Sequence, residues 1–223
     1  NFGVSAQHFI DLLAACEMRY WQVLPLGPTG YGDSPYQSYS SHAINPFLLD
    51  WDELIERGWI DSNALYPLRT RLEGKVEYAV LREHHESLRQ QALKKGLEDP
   101  TMKDAFALFL KKQGQWIEDY RRFMALKKKF PGKPWNGWPK PYRLKEEIKD
   151  ADWDEDLEKS AELIAFEQFV LFEQWMRVKA YANQKGIEII GDLPIYVAPD
   201  SVDVWAERES FQMSQNGAAN KLA

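Results

Sequence analysis

The sequence has a single cysteine, Cys16, among its 223 residues. That excludes an internal disulfide and suits a reducing cytoplasmic compartment. Cys16 falls with Phe9, Leu12 and Leu13 on the apolar stripe of an expected helix, so packing is its expected role rather than nucleophilic chemistry. No apolar run approaches the length of a membrane span, so no membrane partner is expected. The N-terminus reads NFGVSAQ rather than starting with Met, and it lacks the basic and apolar regions of a signal peptide. Positive charge is scarce as well: 28 Lys and Arg stand against 34 Asp and Glu, a net charge of −6 with a pI near 5.4. This balance argues against a nucleic-acid partner, because phosphate binding needs basic residues gathered on one face. The densest basic run, ALKKKF at 125–130, is short and reads as a solvated helix end. Histidine is limited to four residues. His84 and His85 are adjacent and so point about 100° apart on a helix. They cannot clamp one metal as the HExxH pattern does, and a solvated helix surface is expected for them. No metal site is expected. His42, alone in SSHAINP, is expected to be structural.

What the chain does have is an ordinary globular balance, 44% hydrophobic and 28% charged, enough to bury a core. Phe9, Leu12, Leu13 and Cys16 recur at helical spacing, with Ser5 placed as a cap and Val4 placed to staple against Phe9. RYWQVLPL at 19–26 is short, apolar and closed by Gly27 and Pro28, which predicts a buried strand. Charged, weakly periodic helix follows over 69–95, and a second helical segment over 103–130 keeps its period through Phe106, Phe109, Leu110, Ile117, Tyr120 and Met124. FPGKPWNGWPKPYRL at 130–144 is a rigid loop rather than a linker, its tryptophans pinning it to its own domain. A long aromatic helix over 160–184 ends at Lys185 and Gly186. IEIIGDLPIYV at 187–197 then reads as a second strand with Asp192 just past its core. Helix, strand, helices and strand make an α/β chain.

Between the elements lies GPTGYGDSPYQS, residues 27–38. It is not a phosphate cradle: its glycines fit neither GxGxxG nor GxxxxGK[ST], and Pro28 and Pro35 remove donors and block a following helix. Two readings remain open. One is a sugar-gripping loop, in which Tyr31 and Tyr36 stack on a pyranose while Ser34 and Gln37 bond its rim. The other is a tight turn whose tyrosines only pack. In α/β folds ligands bind beyond the carboxyl ends of strands, where Tyr31, Ser34, Tyr36 and Gln37 would meet Asp192 and Tyr196. In APDSVDVWAE, helix capping by Asp200 or Ser201 is the expected use of these polar residues, with Asp203 nearby. No sugar contact is assigned to Trp135, Trp138 or Trp153.

YWQVLPLGPTGYGDSPYQSYSSHAINPFLLD and GIEIIGDLPIYVAPDSVDVWAE closely resemble two signature segments of the 4-α-glucanotransferases of glycoside hydrolase family 77, the amylomaltases or disproportionating enzymes. FLKKQGQWIEDYRRFMALKKKF, PWNGWP and FEQFVLFEQWMRVKAYANQKG resemble the same family in the same order, so the likeness covers nearly the whole chain. It implies an α/β fold, part of a (β/α)8 TIM barrel, with the two strands above as the second and third. Residues 1–50 and 182–223 would be barrel segments and 51–181 a mostly helical inserted subdomain. It further implies transfer of α-1,4-glucan segments between malto-oligosaccharides by a retaining double displacement, without a cofactor. Partners would be malto-oligosaccharides, amylose or glycogen-derived glucans, and glucose as acceptor. By the same resemblance Tyr36 stacks on the transferred glucosyl unit, Tyr31 holds glucan at a more remote site, and Asp192 supports the catalytic constellation.

Retaining transfer needs a carboxylate nucleophile and an acid/base about 5 Å apart. In the family these groups lie in motifs resembling R-x-D-H-F, A-E-D-L-G and T-H-D, none of which occurs in the 223 residues. A complete barrel takes about 250 residues or more. The expectation is therefore a portion of a longer enzyme, inactive by itself, with no catalytic residue of its own. The alternative is a non-catalytic α-glucan-binding or interaction module on a degenerate barrel.

Overall fold

The computed structural model describes residues 1–66 and 76–214. Its elements are α1 (Val4–Ala15), β1 (Tyr20–Gln22), α2 (Trp51–Glu56), α3 (Tyr78–Glu98), α4 (Pro100–Gln113), α5 (Gln115–Lys129), α6 (Glu155–Gln184), β2 (Glu188–Ile190) and α7 (Val202–Ala206), with short 3-10 turns between them. The chain divides into two compact units. One comprises Asn1–Val23, Ile44–Phe109 and Phe166–Gly191; the other comprises Leu24–Ala43, Leu110–Ala165 and the chain from Asp192 onward.

In the first unit β1 and β2 pair in parallel, with Tyr20 opposite Glu188, Trp21 opposite Ile189 and Gln22 opposite Ile190. Parallel neighbours need a crossover, which the intervening helices supply. The strands are shorter and more open than their apolar sequence predicts: Tyr20 is 58% exposed and Ile190 46%. Phe9 packs edge-on against Trp21 at 5.2 Å, but a parallel strand is buried only when both faces are covered. α1 also begins earlier than predicted. Gly3 occupies its N-cap, where an added Cβ would lie 2.2 Å from Asp50 Oδ1, so Ser5 is not the cap. The helix buries Ala6 and Ile10, leaves Phe9 and Leu12 exposed, and stops at Ala15; Cys16 is consequently an exposed C-cap, not a packed residue.

The core of this unit is an aromatic cluster. Phe166 on α6 meets Phe106 of α4 and Trp59, and Phe169 meets both Phe106 and Phe109. Two buried glutamines on α6 satisfy the backbone of residues 44–50. Gln168 Oε1 accepts from the Ile44 amide at 2.8 Å while its Nε2 donates to the Ile44 carbonyl, and Gln174 treats Asp50 in the same way. Unpaired buried amides are costly, so these side chains do what a sheet ladder would otherwise do. His85 is the main departure from expectation. It is 3% exposed, with its ring edge-on to Trp51 at 4.8 Å and to Phe47 at 5.2 Å, rather than on a solvated surface. The side chain of His84 lies outside the described residues.

The helical segment predicted over 103–130 is interrupted at Gly114, whose φ of 66° breaks it into α4 and α5, the latter in the second unit. α5 buries Ile117, Tyr120 and Phe123, and Phe123 packs against Trp138 and Trp205. Trp135 and Trp138 are both fully buried, and Trp135 Nε1 donates to the Pro199 carbonyl at 2.8 Å, so the proline-rich loop is pinned as expected. Lys127, the first lysine of the basic run, is not solvated: it pairs with Asp200 at 2.7 Å and lies over the Tyr39 ring. Trp153 bonds Glu158 and stacks with Arg122. Among the described residues, no helix is long and apolar enough to cross a membrane.

Candidate functional site

The loop 27–43 and the segment 192–206 both belong to the second unit. The loop is shaped by its own hydrogen bonds. Gly30 N donates to the Gln37 carbonyl at 2.7 Å, Tyr39 N to the Pro28 carbonyl at 2.9 Å, and Gln37 N to the Ser34 carbonyl at 3.1 Å. A Cβ at Gly30 would stand 2.8 Å from the Gln37 oxygen, so the close approach requires glycine. Amides committed in this way to loop oxygens are not aimed at an anion, which agrees with the sequence argument against a phosphate cradle.

Tyr36 is carried at the end of this loop, 46% exposed. Its hydroxyl donates to Asp192 Oδ2 at 2.7 Å, joining residues 156 positions apart. That hydrogen bond, followed by desolvation and the Asp192 charge, raises the phenol above its ordinary value and keeps the donor protonated. The hydroxyl tip of an exposed ring is thereby tied to a half-buried carboxylate. Ser34 serves the turn more than the surface, its Oγ accepting from the Tyr36 amide at 3.3 Å. Gln37 is exposed, its carbonyl spent on Gly30. Tyr31 opens a 3-10 turn, Tyr31–Asp33, but its side chain lies outside the described residues. Tyr196 stands 68% exposed and Ile195 89%.

Two serines that the sequence did not single out, Ser40 and Ser41, also serve this region, together with Asp203. Ser40, 2% exposed, accepts the amides of His42 and Ala43 on its Oγ at 3.1 Å each. Asp203 accepts from the Ser41 amide at 3.0 Å and the Ser41 hydroxyl at 2.6 Å. Neither contact has a local sequence signature, since 162 residues separate Ser41 from Asp203. His42 stacks on Trp116, with ring centroids 5.7 Å apart. Ser201 caps α7 through Val204 N, as expected, whereas Asp200 instead holds Lys127 and the Trp135 amide. Among the described residues no group of three His, Cys, Asp or Glu is arranged to hold a metal ion.

The family profile described as 4-alpha-glucanotransferase matches residues 1–220. The chain belongs to the 4-α-glucanotransferase family. It is 42% identical over 224 residues to the 4-alpha-glucanotransferase of Thermus thermophilus, covering 99% of this chain and 44% of that relative. It is 38% identical to the Clostridium butyricum 4-alpha-glucanotransferase, covering 96% of this chain and again 44% of the relative. Among solved structures, an amylomaltase from Streptococcus agalactiae in complex with acarbose superposes with a TM-score of 0.88 at 34% identity, over 97% of this chain and 44% of the other. A Corynebacterium glutamicum amylomaltase, at 17% identity and a TM-score of 0.60, shares the fold. The chain thus spans under half the length of these 4-α-glucanotransferases.

Proposed function

We propose that this chain is the substrate-gripping part of a 4-α-glucanotransferase that moves α-1,4-glucan segments between malto-oligosaccharides, with glucose among its acceptors. The observation that carries the reading is the Tyr36–Asp192 pair, an exposed aromatic ring fixed to a carboxylate in a chain whose family match runs through residue 220. Tyr36 stacks on the transferred glucosyl unit, Gln37, Ser34 and Tyr31 contribute to glucan contacts around it, and Asp192 supports the site. The acarbose complex of the streptococcal amylomaltase supports an oligosaccharide as the ligand class.

The reaction proceeds by retaining double displacement, so the two catalytic carboxyl groups come from parts of the protein beyond these 223 residues. β1 and β2 are neighbouring strands of a (β/α)8 barrel, their parallel register being the arrangement such a barrel requires. Residues 1–50 and 182–223 belong to that barrel and 51–181 to a helical insertion. The enzyme works in the cytoplasm. The test is to follow the anomeric protons of maltotriose by NMR with the complete protein. Retaining transfer conserves the total of α-1,4 bonds while chain lengths diverge. Disappearance of those bonds into reducing sugar would indicate hydrolysis, and conserved bonds with every chain still three units long by chromatography would favour a glucan-binding module.

A further inference from the structure

Two stretches carry the proposed site: Val202, Val204 and Trp205 anchor the second in the core, but the part of it next to Asp192 has few apolar contacts. Leu193 is 79% exposed, Ile195 89% and Tyr196 68%, so the segment that follows Asp192 has little packing to position it. Hydrogen bonds therefore take a large part in setting how Tyr36 meets Asp192. Beyond that pair, Val202 N donates to the Tyr39 carbonyl at 2.9 Å, and Ser41 engages Asp203, which also has His42 Nδ1 at 3.8 Å.

The Ser41–Asp203 joint is the more selective of the two. One residue presents two donors, its amide and its hydroxyl, to the two oxygens of one carboxylate, at 3.0 Å and 2.6 Å. Bonds to a charged acceptor are roughly twice as strong as neutral ones, and a forked pair also fixes direction. The Asp203 side chain is only 17% exposed. Capping does not explain it, because Ser201 already supplies the α7 cap through Val204 N at 3.3 Å. From Ser41 the loop runs back five residues to Tyr36 through Ser38 and Ser40, whose hydroxyls are themselves committed to backbone groups. A rotation at Ser41 is thus passed along a stiff loop rather than absorbed within it.

We infer that Asp203, through its forked bond to Ser41, is a positioning residue that keeps the Tyr36 hydroxyl on Asp192 and the Tyr36 ring in the attitude the transferred sugar requires. This inference rests on the glucan-transfer reading, and it adds a residue that touches no sugar. Asp203→Ala removes both acceptors and lets the loop drift. Asp203→Asn keeps one acceptor and offers an amide that can donate to the Ser41 hydroxyl, so the joint survives in altered form. Displacement of a group near the chemistry by about 1 Å can cost up to about 100-fold in rate.

The experiment uses the complete protein with two readouts. The first needs no catalysis: fluorotyrosine is incorporated, the Tyr36 fluorine resonance is assigned by its loss in Tyr36→Phe, and its titration is followed. Wild-type protein and Asp203→Asn should titrate alike, above free fluorotyrosine, while Asp203→Ala should move back toward the free value. The second is maltotriose kinetics, in which Asp203→Ala should lower kcat by about tenfold with KM little changed, and Asp203→Asn should recover most of that loss. Ser41→Ala, which deletes only the hydroxyl arm, should give a smaller loss of the same kind, and it keeps the test open if Asp203→Ala does not fold. A Tyr36 titration unmoved in Asp203→Ala, or in Ser41→Ala if Asp203→Ala is unfolded, would overturn the inference. A wild-type protein that leaves maltotriose untouched, yet shows the shift on Asp203→Ala, would overturn the glucan-transfer reading and leave the clamp standing.

Discussion

Tyr36 and His85 illustrate two ways a side chain departs from its ordinary state. Tyr36 is held protonated by a neighbour, whereas His85 is held neutral by burial first and by the Arg89 charge second, its pKa pushed down from 6.5 to about 3. The unfolded chain takes up this proton near pH 6.5, the folded one only near 3. A depressed histidine therefore contributes stability that is complete above pH 6.5 and is lost as the pH falls from there toward 3. The loss is on the order of a few kcal/mol over that window. His85→Leu should accordingly be less sensitive to acid than the wild type. Urea midpoints measured from pH 7.5 down to pH 4 should fall less steeply in the variant. Parallel curves would mean that His85 takes its proton at the same pH folded and unfolded.

α3 and α6 show how an element can override intrinsic preference. Gly96 lies inside α3, where alanine is ordinarily better by up to about 1 kcal/mol. Here a Cβ would sit 2.6 Å from Phe166 Cε1 and 2.9 Å from Trp59 Cζ3. Gly96→Ala should therefore destabilise the protein by about 1–3 kcal/mol, since both rings are locked in the aromatic cluster. A raised melting temperature in this variant would contradict that packing. Helices such as α5 and α6 were legible in the sequence because their period is local. The break at Gly114 was not, since one glycine in a helical pattern is often tolerated. Nor did the pattern say which face is covered. Arg82, Glu83, His84 and Glu86 flank His85 in sequence with the residues of a solvated helix, while Phe47 and Trp51, far back in the chain, pack on its ring. The same limit applies at the site. Loop chemistry singled out Tyr36, and the strand pattern singled out Asp192. Their bond, spanning 156 residues, and the Ser41–Asp203 fork depend on topology that no short window contains.

The chain as a whole presents apolar side chains that an isolated α/β domain would cover. Val4 and Leu12 on α1, and Tyr20 and Ile190 on the two strands, are all 46% or more exposed in the first unit, and Leu193 and Ile195 are more so in the second. Such edges invite association. Residues 1–223 expressed by themselves should self-associate in sedimentation velocity, while the complete protein should not. A well-behaved monomer would show that the edges are tolerated bare. The central claim, that this chain grips an α-glucan for transfer, is tested most directly by incubating the complete protein and its Tyr36→Ala variant with maltotriose and separating the products by chain length. The account predicts glucose together with chains longer than maltotriose from the wild type, and a rate lowered by about 10- to 100-fold in Tyr36→Ala. Equal rates in the two proteins, or maltotriose returned intact by folded wild type, would contradict it.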